Sequence, residues 1–227
     1  MRHILRSAAV IVTTVVLGAG AASAQNNPMS YEALIKAKQG AWAEYNMTMP
    51  GMGTTQQPQK LTVRYAVVTK NERELTLESD SQTPMGPVHS SMVFAPTPPD
   101  ALKLVKARIQ MGTQAPIDMP PSQLSQGTIK KTDTAGTLIG AEKVKVPAGT
   151  FETKHYKHDL PKEAGGMTLD VWMSDKAVPT GVVKLTGTGG VEMVLASTGM
   201  GAKPKPEAKP AATDTEKAPA EKTPAKK

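Results

Sequence analysis

The chain of 227 residues has no cysteine. That absence excludes a disulfide framework, thiolate ligation of zinc or an iron–sulfur cluster, a cysteine nucleophile and a lipidated cysteine anchor. Aromatic residues are scarce at 4%, with Phe and Trp present twice each and Tyr four times, so a core has to be built from Val, Leu, Ile and Met. Long apolar runs are missing too. The run Ala8 to Ala21 is interrupted by Thr13 and Thr14 and is shorter than the roughly 20 apolar residues that span a membrane as a helix. No Gly-x-Ser-x-Gly elbow, phosphate-binding glycine loop or dinucleotide fingerprint occurs, and the acids are scattered. Without aromatic–basic interleaving, nucleic-acid binding is not expected. The chain reads as non-enzymatic, without a cofactor.

Methionine, glycine and proline are abundant, at 13, 19 and 19 residues. Lys and Arg number 27 against 20 Asp and Glu, a formal +7, but that charge sits mostly at the ends. Arg2 and Arg6, the apolar run and Ala22-Ser23-Ala24 before Gln25 form the three-part pattern of a secretory signal peptide over residues 1–24. Residues 201–227 hold seven Ala, seven Lys and five Pro with four acids, a local +3. Such a composition cannot bury enough apolar surface to offset its ordering entropy, so a disordered tail is expected. The remaining body, residues 25–200, has 18 basic and 16 acidic residues, or +2. A periplasmic or secreted protein, soluble after cleavage and monomeric, is expected. The tail is either a solubilising spacer or a tether to an anionic envelope surface.

Within the body, apolar and polar residues alternate with period two. Leu61, Val63, Tyr65 and Val67 share one parity, as do Leu75 and Leu77; Val88, Met92 and Phe94; Val144 and Val146; Leu169, Val171 and Met173; and Val191, Met193 and Leu195. One apolar and one polar face is the pattern of an antiparallel sheet with one wet side. Three x-Pro-x-Gly sequences, at Thr83–Gly86, Val146–Gly149 and Val178–Gly181, carry hairpin-turn chemistry. Asn71 and the run Thr186–Gly190 mark two further turns. The fold class is mainly β, a curved antiparallel sheet or half-open barrel of about eight to ten strands around one or two helices. A short helix is expected over Ser30 to Gln39, capped by Ser30 and ended by Gly40. Asp100 to Met111 reads as a second helix, started by Pro98-Pro99-Asp100, stopped by Gly112 and faced by Leu102, Val105 and Ile109; Leu102 and Leu104 also fit a strand. Gly112 to Gln126, with Pro116, Pro120 and Pro121, reads as a loop crossing over the sheet.

Gly140-Ala-Glu-Lys-Val-Lys-Val-Pro-Ala-Gly-Thr-Phe151, then Val171-Trp172-Met173-Ser174 and Val178-Pro179-Thr180-Gly181-Val182-Val183-Lys184, resemble a strand pair and turn shared by a group of exported bacterial proteins. Their overall look is similar to the periplasmic lipoprotein-carrier (LolA/LolB-like) superfamily, over about a quarter of the chain. That resemblance implies a curved sheet wrapped around a few helices with an apolar cavity for acyl chains. A lipid or acylated protein is the partner it implies. On that reading Val63, Tyr65, Met92, Phe94, Val171, Met173 and Met193 form the apolar ligand face. Methionine suits such a face, because unbranched thioether side chains re-pack around varied shapes. Trp172 points away from Val171 and Met173, either as a rim residue or as a lone aromatic cover on the other face.

Two groups of residues bear on metal binding. His155 and His158 lie on opposite sides of a strand and so cannot share an ion without a bulge; they read as surface histidines, and no metal site is assigned. Met47, Met49 and Met52 could hold Cu(I) through soft thioethers, which makes a copper-binding envelope protein the alternative function. A structural envelope module is the third. Asn46-Met47-Thr48 matches a glycosylation acceptor by accident of composition.

Overall fold

The computed structural model describes residues 29–50, 57–84, 86–124, 127–131, 136–160 and 166–205. The leader expected at 1–24, and the expected tail beyond Lys205, lie outside the described residues. After helix α1 (Tyr31–Lys36) come strands β1 (Trp42–Met49), β2 (Gln59–Lys70), β3 (Leu75–Thr83), β4 (Gly86–Thr97), β5 (Ala101–Met111) and β6 (Ile117–Asp118). A one-turn helix α2 (Pro121–Leu124) precedes β7 (Ile129–Lys130), β8 (Thr137–Val146), β9 (Gly149–Asp159), β10 (Thr168–Met173), β11 (Val182–Gly187) and β12 (Val191–Gly199).

These strands form one sheet of 12, in the order β6-β5-β4-β3-β2-β1-β12-β11-β10-β9-β8, with β7 also paired to β5. Among the described residues the sheet curves and does not close. Every neighbouring pair is antiparallel, so each half is a meander, and β1 lies in the middle, joined to β2 on one side and β12 on the other. The expected alternation holds: Val63, Tyr65, Leu75, Leu77, Met92, Phe94, Val171, Met193 and Leu195 are buried on one face. Each Val or Leu so buried contributes about 1.5–3 kcal/mol.

Helix α1 plugs this apolar face. Ser30 caps it, accepting a hydrogen bond from Ala33 N, and Ala33 and Leu34 are buried. Lys70 of β2 closes the other end, donating from Nζ to the carbonyls of Ile35 and Ala37, where the helix dipole favours a cation. Ser30 N donates to Thr180 O at 2.8 Å, which ties the helix to the connection between β10 and β11. Tyr45 joins the same spot from β1. Its fully buried ring puts a hydroxyl between Thr180 Oγ1 and Val182 O, and burial pushes its pKa up.

Four sequence expectations are corrected. The sheet has 12 strands rather than eight to ten. Residues 101–111 are strand β5, not a helix, paired along β4 from Val88↔Met111 to Thr97↔Ala101. The register skips Val105 between Lys106 and Leu104, so the buried parity changes from Leu102 and Leu104 to Ala107. That bulge creates a three-residue apolar spacing that imitates a helix. Third, the segment after Gly112 does not cross the sheet. It runs back along the outer edge of β5, where Ile117 pairs with Ile109 and Ile129 with Leu102, which covers an otherwise exposed edge. Fourth, only two of the three x-Pro-x-Gly sequences are tight hairpins, at Thr83↔Gly86 and Val146↔Gly149. The third lies within the wider connection from Met173 to Val182, with Val178–Pro179 cis.

Candidate functional site

All seven residues expected on the ligand face belong to one apolar assembly. Val63, Tyr65, Met92, Phe94, Val171 and Met193 are in the buried cluster, and Met173 is partly buried against it. Methionine is prominent in this interior: Met29, Met47, Met49, Met92 and Met193 are buried, and Met119, Met167 and Met173 pack on them. The tip of the β8–β9 hairpin reaches β12, where Ala148 N donates to Leu195 O at 3.3 Å, and brings Val146 and Phe151 against the same cluster. One polar row interrupts the apolar face. Tyr65 stands opposite Ser79, and Ser79 opposite Ser90, with the two serine hydroxyls 2.7 Å apart and buried.

Two polar clusters occupy the opposite face. In the first, Asp80 of β3 is bonded to His89 Nδ1 of β4 at 3.0 Å and to Lys205 Nζ at 2.8 Å. The hydrogen bond from His89 is the main reason the Asp80 carboxyl falls to about 2, with Lys205 assisting and burial opposing. Beside it Glu78 is only 8% exposed, and burial raises its pKa. The start of the tail is thus docked: Ala202 N donates to Gly40 O at 3.0 Å and Lys205 N to Glu78 Oε2 at 3.2 Å.

A pH dependence follows. The folded pKa of Asp80 lies below the unfolded value of about 3.9. Its stabilisation is therefore complete above about pH 4 and is lost as pH falls toward about 2. Glu78 has the opposite sign, its penalty growing as pH rises through its carboxylate range. Urea midpoints at pH 5 and pH 2.5 should therefore fall less on acidification in Asp80→Asn than in the unaltered protein. An equal fall in both proteins would refute the assignment.

The second cluster crosses β8 to β11. His155 stacks on Trp172 with centroids 4.3 Å apart and planes 14° apart. Its Nε2 is 2.8 Å from Asp170 Oδ1 and its Nδ1 is 3.5 Å from Glu142 Oε1. Trp172 Nε1 donates to Glu142 at 2.6 Å, and Lys184 Nζ lies over the indole at 5.5 Å. Trp172 does point away from Val171, but it is not a lone cover. His155 is not a plain surface histidine either: both its nitrogens face carboxylates, so the ring is held in place. Neither cluster follows from the sequence alone. The available signal was strand parity, but the pairing of Asp80 with His89, or of Trp172 with His155, needs the cross-strand register.

No family model matches the chain, and no curated protein matches it. Among solved structures it is similar to an exported protein of YmcC-like fold from Bacteroides fragilis, at 11% identity over 71% of this chain and 96% of that one, with a TM-score of 0.41. It is also similar to PNGF-II, at 10% identity over 74% of this chain and 29% of that one, with a TM-score of 0.35.

Met47 and Met49 share a strand face as expected, and that face is the interior, where they are 3% and 5% exposed. Met52 lies outside the described residues. Among the described residues, no group of three or more His, Asp or Glu could hold a metal ion, and no helix is long and apolar enough to cross a membrane.

Proposed function

We propose that this chain is an exported, non-enzymatic binding protein of the bacterial cell envelope. Its ligand is the acyl chain of a lipid or a lipidated protein, taken up in the apolar interior. The observation that carries this reading is the methionine-rich interior, continuous across both meanders of a sheet whose outermost strands, β6 and β8, are not joined to each other among the described residues. Thioether side chains can re-pack when a chain enters, and an unclosed sheet can widen without breaking its ladder. Each acyl methylene removed from water contributes about 0.8 kcal/mol, offset by the ordering cost of binding. The hydroxyl row of Tyr65, Ser79 and Ser90 gives the polar end of such a ligand a place on an otherwise apolar wall. The segment from Gly140 to Lys184 resembles exported bacterial proteins whose overall look is similar to that of lipoprotein carriers, which supports the same reading.

The test is native mass spectrometry and lipid extraction of the purified full chain, followed by titration of the delipidated protein with a fluorescent fatty acid. Co-purified acyl lipid and saturable, displaceable binding are expected. Met173→Glu, at the partly buried margin of the face, should weaken that binding at least tenfold without unfolding the protein. Absence of both co-purified lipid and saturable binding would overturn the proposal.

A further inference from the structure

A hollow of about 150 Å³ on the polar face of β3, β4 and β5 is lined by Glu78, His89, Ser91, Lys106, Arg108 and Lys205, among others. Its origin is a cross-strand row. Glu78 stands opposite Ser91, and Ser91 opposite Arg108, so a short side chain separates two long ones. Neighbouring strands are about 4.8 Å apart, which sets an acidic wall on β3 facing a basic wall on β5 across the Ser91 floor. Lys205, from the docked start of the tail, forms a further wall.

Most of the charges around this hollow already have partners. Asp80 takes His89 and Lys205, and Arg108 Nε and Nη2 donate to Asp118 at 2.8 and 3.3 Å. Two lining charges remain without a salt bridge among the described residues: Glu78, which accepts a backbone N–H from Lys205, and Lys106. One is an anion on β3 and the other a cation on β5. Burial makes the charge of Glu78 costly, and the Lys205 N–H with the nearby His89 and Lys205 offsets that only in part, so a cation brought to it would relieve the remainder.

We infer that this hollow binds a small zwitterion, the ammonium and carboxylate of a free amino acid, with the ammonium at Glu78 and the carboxylate at Lys106. A ligand of one sign would satisfy one wall and repel the other, whereas a zwitterion completes both. The site is on the face opposite the apolar interior and is independent of acyl binding.

The experiment is an NMR titration of the ¹⁵N-labelled full chain with glycine and alanine. Acetate and methylammonium serve as the separate halves of the ligand. Saturable shifts at His89, Ser91 and Lys106 are expected with the amino acids in the millimolar range, as suits ligands of so few atoms, and not with either half alone. Glu78→Gln and Lys106→Met should each weaken binding at least tenfold, while Glu142→Gln, in the other polar cluster, leaves it unchanged. Acetate matching glycine would reduce the hollow to an anion subsite, and methylammonium matching it to a cation subsite; either result overturns the inference. So does the lack of saturable shifts at tens of millimolar. Should Glu78→Gln fail to fold, the comparison of whole and half ligands on the unaltered protein still decides.

Discussion

Phe94→Ala should cost about 3–5 kcal/mol of folding stability. Phe94 is 1% exposed and sits in β4 between Leu75 of β3 and Leu104 of β5, where its ring joins three strands of the first meander. The chain has only two phenylalanines, and the other, Phe151, is merely packed against the core margin. Removing the ring deletes its transfer free energy and leaves a void that its neighbours fill only in part. Domains are typically stable by only 5–15 kcal/mol, so this single change should remove a large share of the total. Urea unfolding should show a lower midpoint at unchanged slope, and the melting temperature should drop by about 6–20 °C. A loss under about 1 kcal/mol would mean that the interior around β4 is already loosely packed.

Gly181→Ala should cost about 2–5 kcal/mol, from two separate causes. Gly181 has φ +85°, a left-handed conformation that costs an L side chain roughly 1–2 kcal/mol. A Cβ there would also lie 2.7 Å from Ser30 Cβ and 3.1 Å from Ala33 Cβ, which forces the connection off the first turn of α1 at an overpacking cost of about 1–3 kcal/mol. Gly149→Ala separates the two effects. Its φ is +134°, yet a Cβ would meet nothing closer than Phe151 at 3.9 Å, so it should carry the conformational cost alone. Equal losses in the two variants would show that the glycine at 181 is not needed for the seat of the helix.

Strand content, burial parity and the helix at Tyr31–Lys36 were all legible in the sequence, because period-two alternation and a Ser cap report local geometry. β5 was not, because the bulge at Val105 moves its apolar residues from one parity to the other, and Pro98-Pro99-Asp100 looks like a helix start. The connection at Val178–Gly181 carried the right turn residues, but its shape is set by α1 and Tyr45, which are far away in the chain. The apolar face could be named residue by residue, since a strand's inner side follows from its own pattern. The polar clusters could not be. Trp172 and Glu142 are 30 residues apart, and His155 and Asp170 are 15 apart; their contact depends on register across several strands.

The central place of β1 has a consequence for how the chain reaches its fold. Each meander is built of neighbouring hairpins, which close small loops quickly. The seam between β1 and β12 joins Trp42 to Gly199 and Thr48 to Glu192, contacts separated by most of the described chain. Loop-closure entropy makes such pairing slow. Until β12 arrives, β1 presents a free edge in the middle of the future sheet. Topology therefore favours one order of assembly: two local ribbons first, and the join that makes them one protein last. The interval between is when the chain is most open to pairing with another molecule.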